Sequence, residues 1–453
     1  MWTPTIRREG KPLYLAIADA LAADVAAGRL ASGQRLPPQR ELADRLGVTL
    51  TTVTRAYTEA ARRGLIEGAV GRGTFVRAGL TDEGATDEEV IDLGLNTVPP
   101  HAHAVALANR LAVPGRLADR LLALEYPPPA GLPAHAEAGR RWFEQRGWDS
   151  AGHAVLVTAG AQHAITVALM ALLPRGGDVL AEEVTYAGLK DLAGRLGVTV
   201  HPVAMDEGGM RADDLDAVCR RSGARVLYLM PALQNPTGLT MAADRQAEIA
   251  SVAERRDLTV IEDDTYGFVA PAAPLLASRI AGRTLVITSL SKSVAGGLRV
   301  GFIAAPPPWR DALLSAIWNT VVTASPVTAA IAAALIADGT AATVAAWKRE
   351  ELAARQAIAR RVLGRVPAST SPASPHVWLQ LDRPWKGDVF AARARSRGVV
   401  VTPASAFSVR EGASPRAVRA ALGVPRTRER LTEALKRLAD LQREGPEGTA
   451  AVL

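Results

Sequence analysis

The sequence predicts two folded parts in series: a small N-terminal unit of three short helices and a hairpin, then a large α/β body with a smaller C-terminal α+β lobe. Three observations carry this. Between residues 11 and 63 apolar residues recur at helical spacing. Further on, apolar strands that include residues 228–230 and 260–261, and one ahead of the tract 288–302, each run into turn, acidic or hydroxyl residues, the layout of a sheet with its working edge at the strand ends. Between the two parts, residues 78–92 hold six acids and no base, which reads as a solvated tether. The expected division is 1–77, a linker 78–90, and 91–453.

In the first part Leu13, Ile17, Leu21 and Val25 form an apolar stripe on one helix, ended near Gly28. A second helix, 39–46, places Leu42 and Leu46 on one face, and Gly47 supplies a tight turn. A third, from Leu50 to Arg63, buries Val53, Ala56, Tyr57 and Ala60 and shows Thr51, Thr52, Arg55, Arg62 and Arg63 on its other face. Short strands at 65–68 and 74–76 then flank a glycine-rich tip carrying Arg72. Short helix, glycine turn and basic helix make a helix-turn-helix, and the hairpin makes its wing. Residues 1–77 hold 12 Lys/Arg against seven Asp/Glu, so positive charge is densest where phosphate would bind. The stretches 36–43 and 71–76 resemble the GntR family of winged helix-turn-helix regulators. That resemblance implies double-stranded DNA as partner, with Arg40, Thr49, Thr51, Thr52 and Arg72 as contact candidates. Leu50 departs from it, standing where many relatives have an arginine, so base readout does not carry over.

In the body the informative residue is Lys292, one of only six lysines against 47 arginines. It lies among small and hydroxyl residues, with Ser289 and Ser291 before it and Arg299 beyond. A lysine that attacks an aldehyde needs a neutral amine, and small neighbours let a planar ring lie against it. The pattern is that of a lysine holding pyridoxal phosphate as a Schiff base, with the hydroxyls and Arg299 as phosphate donors. Asp263 closes an apolar strand, where a carboxylate pairs with a pyridine nitrogen and keeps the ring protonated. Tyr266 follows as a donor for the ring's phenolate oxygen. Upstream, residues 235–238 read Asn-Pro-Thr-Gly, good turn chemistry after another strand. Residues 158–162 form a small-residue turn ahead of an apolar helix, whose N-terminus offers free N–H groups to a dianion.

This order of motifs resembles the fold-type I aminotransferases over roughly residues 91–443. The resemblance implies that Lys292 carries the cofactor, that Asp263 partners the pyridine nitrogen, and that Tyr266 and Asn235 partner the phenolate oxygen. It implies a phosphate cup at Gly160, Ala161 and Gln162, completed by Ser289, Ser291 and Arg299, with Tyr186 stacked on the ring. Tyr126 matches a tyrosine that reaches the phosphate of a neighbouring subunit, which implies a homodimer. Arg419 matches the clamp for a ligand α-carboxylate, a role that suits a bidentate guanidinium. Spacing alone leaves Arg416 and Arg426 open for that role.

The single cysteine, Cys219, excludes an internal disulfide framework and suits a reducing cytosol. Residues 313–337 carry no charge, yet Asn319, Ser325 and Pro326 interrupt them, so two buried helices are expected rather than a membrane span. No signal peptide is read at the start, no metal cluster is expected, and the expected place is the cytoplasm. Joined in one chain, the two resemblances point to the MocR-type subgroup of GntR regulators. Such a protein is expected to regulate transcription and to use pyridoxal phosphate to sense an amino compound or the cofactor itself. The alternative is a working aminotransferase with an appended DNA-binding module.

Overall fold

The computed structural model describes residues 2–4, 6, 12–26, 30, 34–62, 65–69, 73–76, 90–99, 127–270, 274–364, 370–410 and 412–445. Among these, contacts separate two compact units, residues 2–76 and residues 90–445. Arg72 at the expected wing tip, nearly all of the acidic stretch 78–90, and Tyr126 lie outside the described residues.

The first unit holds α1 (Leu13–Ala26), α2 (Gln39–Leu46) and α3 (Leu50–Arg62), followed by the antiparallel hairpin of β1 (Ile66–Ala69) and β2 (Gly73–Val76). Leu21, Leu42, Val53, Tyr57 and Ala60, one or more from each helix, meet in a common core with Ile66 and Val76 of the hairpin. Residues 34–36, expected only as part of a loop, add a third edge to the hairpin. Leu36 N–H donates to the Thr74 carbonyl at 2.8 Å, and Val76 N–H to the Gln34 carbonyl at 2.9 Å. Tyr57 ties α3 to the same segment by donating to the Pro37 carbonyl at 2.9 Å.

The second unit is built on a seven-stranded sheet, in the order Ala154–Thr158, Gly301–Ala305, Thr284–Ser289, Thr259–Asp263, Val226–Leu229, Gly177–Glu182 and Val198–Val203. Every strand runs parallel except Gly301–Ala305, which is antiparallel to both neighbours. Side chains alternate between two cores: Tyr228 and Ile261 join one, while Leu227, Leu229 and Val260 join the other. Because both faces are covered, the strands read as nearly continuous apolar runs. The parallel arrangement brings Thr158, Glu182, Leu229, Asp263 and Ser289 to one edge of the sheet, the edge where open α/β sheets bind ligands.

A smaller lobe has three antiparallel strands, in the order His376–Gln380, Ala417–Ala421 and Thr402–Pro403, with helices Gly387–Ser396 and Arg428–Glu444. It also takes in residues from the start of the body. Ile91–Asp92 pairs in parallel with Val399–Val400, and Ile91 and Leu93 share a core with Val377, Phe390 and Leu435. The lobe is therefore not purely C-terminal, and its two ends close on each other. The uncharged stretch 313–337 lies in helices Arg310–Val321 and Pro326–Ala337, with Leu313, Ile317, Ala332 and Leu335 buried. Among the described residues no single helix is long and apolar enough to cross a membrane.

One glycine fixes how the early segment reaches the lobe. A Cβ on Gly423 would lie 2.0 Å from the Thr97 carbonyl oxygen, so only a bare position admits the backbone of residues 97–98. Gly423→Ala should destabilise the protein by about 1–3 kcal/mol, as overpacking does. Gly194, in the helix Ala187–Leu196, has open space around it and no unusual backbone, so Gly194→Ala should be neutral or stabilising by up to about 1 kcal/mol. Denaturant midpoints of the two variants, measured side by side, check the contrast.

Candidate functional site

The site forms where the strand ends converge. Asp263, the last residue of its strand, is 2 % exposed. Its Oδ2 accepts from Tyr228 Oη at 2.8 Å, and its Oδ1 from Thr265 N–H at 3.0 Å and from the Thr265 hydroxyl. Burial raises its carboxyl above the usual carboxylate range, while the bonds from Thr265 and Tyr228 and the charge of Lys292 pull the other way.

Lys292 lies in the helical turn Leu290–Ser293 that follows the next strand. Burial lowers its amine to about 8, and the guanidinium charges of Arg419 and Arg299 add to the effect, with Asp263 opposing. Its Nζ donates to the Asn96 carbonyl. Ser289 caps this turn: its hydroxyl donates to the Val300 carbonyl at 3.1 Å and accepts from Ser291 N–H at 3.1 Å. Ser289, expected as a phosphate donor, is fully buried. Ser291 accepts a 3.4 Å bond from Arg299.

Gly160, at φ 89°, precedes the helix Ala161–Leu172, and no side chain caps that helix. A Cβ there would stand 3.0 Å from Arg299 Nη2, so the bare turn brings the guanidinium beside the helix's unpaired N–H groups. Arg299 also donates to the Ala159 carbonyl at 3.3 Å. A dianionic phosphate fits this setting of free N–H groups and one guanidinium. Tyr186 donates to Gln162 Oε1 at 2.9 Å, which joins the expected stacking residue to the expected cup.

Arg419, in the lobe strand Ala417–Ala421, is 6 % exposed. It donates to Asn235 Oδ1 at 3.0 Å, to the Gly94 carbonyl at 2.5 Å and to Thr402 Oγ1 at 3.3 Å, and it lies over the Phe407 ring. Its Nε has no partner among the described residues. Asn235 is thus held against the carboxylate-clamp candidate. One short segment gathers three of the site's groups: the Gly94 carbonyl receives Arg419, the Asn96 carbonyl receives Lys292, and the Asn96 amide donates to Tyr266.

Sequence reasoning missed Asn96, His376 and Lys348. Asn96 Nδ2 donates to Tyr266 Oη at 2.7 Å and lies 3.2 Å from His376 Nδ1. Lys348 is 3 % exposed, donates to the Val294 carbonyl at 2.5 Å and is lowered to about 8 by burial, with the Lys292 charge adding. Lys348 was invisible because a helix far along the chain, Thr340–Leu363, delivers it to Val294. In the N-terminal unit Arg40, Thr49 and Thr51 are exposed and Thr52 is half-buried. The Thr49 and Thr52 hydroxyls lie 2.9 Å apart in a mutual hydrogen bond.

Two family models match the chain. Residues 88–438 match aminotransferase class I and II, and residues 13–76 match the bacterial regulatory proteins of the gntR family. The uncharacterized HTH-type transcriptional regulator YdeF of Bacillus subtilis is 30 % identical, covering 97 % of this chain and 97 % of its own. The probable rhizopine catabolism regulatory protein MocR of Rhizobium meliloti is 25 % identical, covering 87 % of each. The chain belongs to the MocR-type GntR regulators. Its aminotransferase part shares the fold of Pyrococcus horikoshii kynurenine aminotransferase, solved with PMP, at a TM-score of 0.72 and 21 % identity, covering 79 % of this chain and 91 % of that one. The cofactor of this MocR-type chain is pyridoxal phosphate.

The lowered amine of Lys292 has a direct kinetic consequence. Only the neutral amine captures an aldehyde, so the rate at which cofactor-free protein takes up pyridoxal phosphate should climb with pH and level off above about 8. Stopped-flow absorbance across pH 6.5–9.5 reads the profile (the range being roughly that bracketing the expected midpoint). A profile still rising at the ordinary lysine value would place the reacting amine in water.

Proposed function

We propose that this DNA-binding regulator senses an amino-acid-like ligand at Lys292, and that occupancy of the site changes its hold on an operator. The observation that carries the reading is Arg419: a buried guanidinium with Nε unpartnered among the described residues, bonded to Gly94 two residues from the Asn96 carbonyl that receives Lys292. Such a group suits a carboxylate, which meets a guanidinium fork bidentately. When bound, pyridoxal phosphate supplies an aldehyde carbon that can exchange Lys292 for a ligand amine. Around it Asp263 would hold a proton at the pyridine nitrogen, and Tyr266 and Asn235 would serve the phenolate oxygen. Gly160, Ala161, Gln162, Ser289, Ser291 and Arg299 would bind the phosphate, and Tyr186 would stack on the ring. Tyr126 is proposed to reach the phosphate of the second subunit of a homodimer, in the cytoplasm.

A ligand moves the DNA equilibrium only as far as it binds one conformer better than another. The test is an anisotropy titration of the full-length protein on DNA from its own upstream region, with and without amino compounds. A DNA affinity that never responds to any compound that changes the cofactor spectrum would count against sensing. The presence of Lys292, Asp263 and Tyr266 together also supports a second reading, a working aminotransferase, and sustained amino transfer to a keto acid over many turnovers would favour it.

Arg419→Ala should keep the cofactor yet lose about 2–5 kcal/mol of ligand binding, read as the shift in the spectral titration with an amino acid. An unchanged titration would move the clamp to another arginine. On the DNA side, Arg40 is exposed in the first turn of α2. Arg40→Ala should weaken specific and non-specific binding together and make the salt dependence shallower by about one unit, while Thr51→Ala should alter sequence preference more than slope. Binding isotherms at several salt concentrations separate the two.

A further inference from the structure

His376 is completely buried at the start of its lobe strand, and the hydrogen bonds around it can be assigned in only one direction. Its Nε2 lies 3.2 Å from the Gln234 carbonyl oxygen. A carbonyl oxygen only accepts, so Nε2 carries the hydrogen. Burial, with the Arg419 charge adding, holds the ring neutral by lowering it to about 3. Nδ1 is therefore a lone-pair acceptor. It faces Asn96 Nδ2 at 3.2 Å, and the amide must turn its N–H₂ that way, since Oδ1 against Nδ1 would oppose two lone pairs. The second hydrogen of the same N–H₂ goes to Tyr266 Oη at 2.7 Å. Asn96 Oδ1 is left buried without a partner among the described residues, as expected if the amide is oriented through its donors.

The consequence falls on Tyr266. Its oxygen accepts from Asn96, so its own proton is directed away from Asn96. We propose that His376 and Asn96 are positioning residues that fix Tyr266 as a hydrogen-bond donor toward the phenolate oxygen of pyridoxal phosphate. The chain starts at a backbone carbonyl, which cannot reverse, and passes through a neutral imidazole and an amide to the phenol. Asn96 also receives Lys292 on its backbone carbonyl, so one residue touches both groups that face the reacting end of the cofactor. This inference rests on the proposed role of Tyr266, and it adds what makes that role one-directional.

The readout is the pH at which the visible absorption of the bound cofactor changes, in full-length protein without ligand. A donor at the phenolate oxygen competes with the proton shared between that oxygen and the lysine-derived nitrogen. Losing the donor should therefore raise the midpoint by about one to two units, the size of one hydrogen bond to an ionised group. Asp263, Arg299, Arg419, Lys292 and Tyr186 also face this region and stay unchanged in every variant.

Tyr266→Phe should raise the midpoint. His376→Leu should raise it by a comparable amount, and His376→Gln, which can donate to Gln234 and accept from Asn96, should restore most of the wild-type value. In the Tyr266→Phe background His376→Leu should add nothing, since its effect passes through the missing hydroxyl. Asn96→Leu carries the same expectations in both backgrounds and serves if His376→Leu does not retain cofactor. Equal shifts with and without the Tyr266 hydroxyl, or failure of His376→Gln to restore the midpoint, would overturn the proposal. A Tyr266→Phe midpoint equal to wild type would overturn the role of Tyr266 itself, a separate failure.

Discussion

The cofactor site is organised around an excess of positive charge. Lys292 and Arg419 act on each other across the site, with Asp263 opposing on the Lys292 side and Asp92 on the Arg419 side, while exposed Arg299 adds a third positive group at the phosphate turn. Taking charges out of water is expensive unless they are paired, and here the protein supplies only part of the pairing. The Lys292 amine yields by losing its proton more readily than an ordinary lysine, at about pH 8, whereas a guanidinium cannot. Arg419 therefore borrows neutral acceptors: the carbonyl of Gly94, the amide oxygen of Asn235 and the hydroxyl of Thr402. The cleft is short of negative charge, and a phosphate dianion with a ligand carboxylate would make up the deficit at the two places where arginines stand.

That electrostatic arrangement depends on a segment that belongs to neither lobe by sequence order. Residues 91–98 leave the acidic stretch, pair with Val399–Val400, and pass over Gly423, placing Gly94 and Asn96 against Arg419, Tyr266 and Lys292. The lobe core closes behind them through Ile91 and Leu93. Continuity of the chain makes this segment the shortest covalent route between the cofactor site and whatever precedes residue 90. A route is not a coupling, which requires an element with two arrangements that both sites bias.

Legibility in the sequence followed the range of the interactions. The three helices of the first unit were readable because periodicity, a glycine turn and an apolar stripe are local, and Val53, Tyr57 and Ala60 do lie in its core. Residues 34–36 were not, since nothing within that short run signals pairing with Thr74 and Val76. In the body, Asp263 and Lys292 stood out because a strand end and a small-residue turn frame them. Ser289 shows what that signal leaves out: its hydroxyl also caps the turn, through a bond to Val300 that the motif does not announce. Asn96, His376 and Lys348 carry no local mark at all, for their partners lie scores of residues away in sequence and are brought to them only by the tertiary fold.

The same residues serve a sensor and an enzyme, and physics separates the two by where binding energy goes. Catalysis uses contacts that strengthen in the transition state, whereas sensing uses contacts that differ between conformers. A carboxylate arriving at Arg419 must compete with the Gly94 carbonyl, a neutral acceptor on a segment that also holds Asn96 beside Lys292. A charged acceptor outbids a neutral one at a buried guanidinium. Displacing Gly94 would therefore transfer ligand binding energy into the backbone of residues 94–97 rather than into the reacting bond. A regulator has use for that transfer, and an enzyme selected only for turnover would gain more from a carboxylate pocket that was already clear.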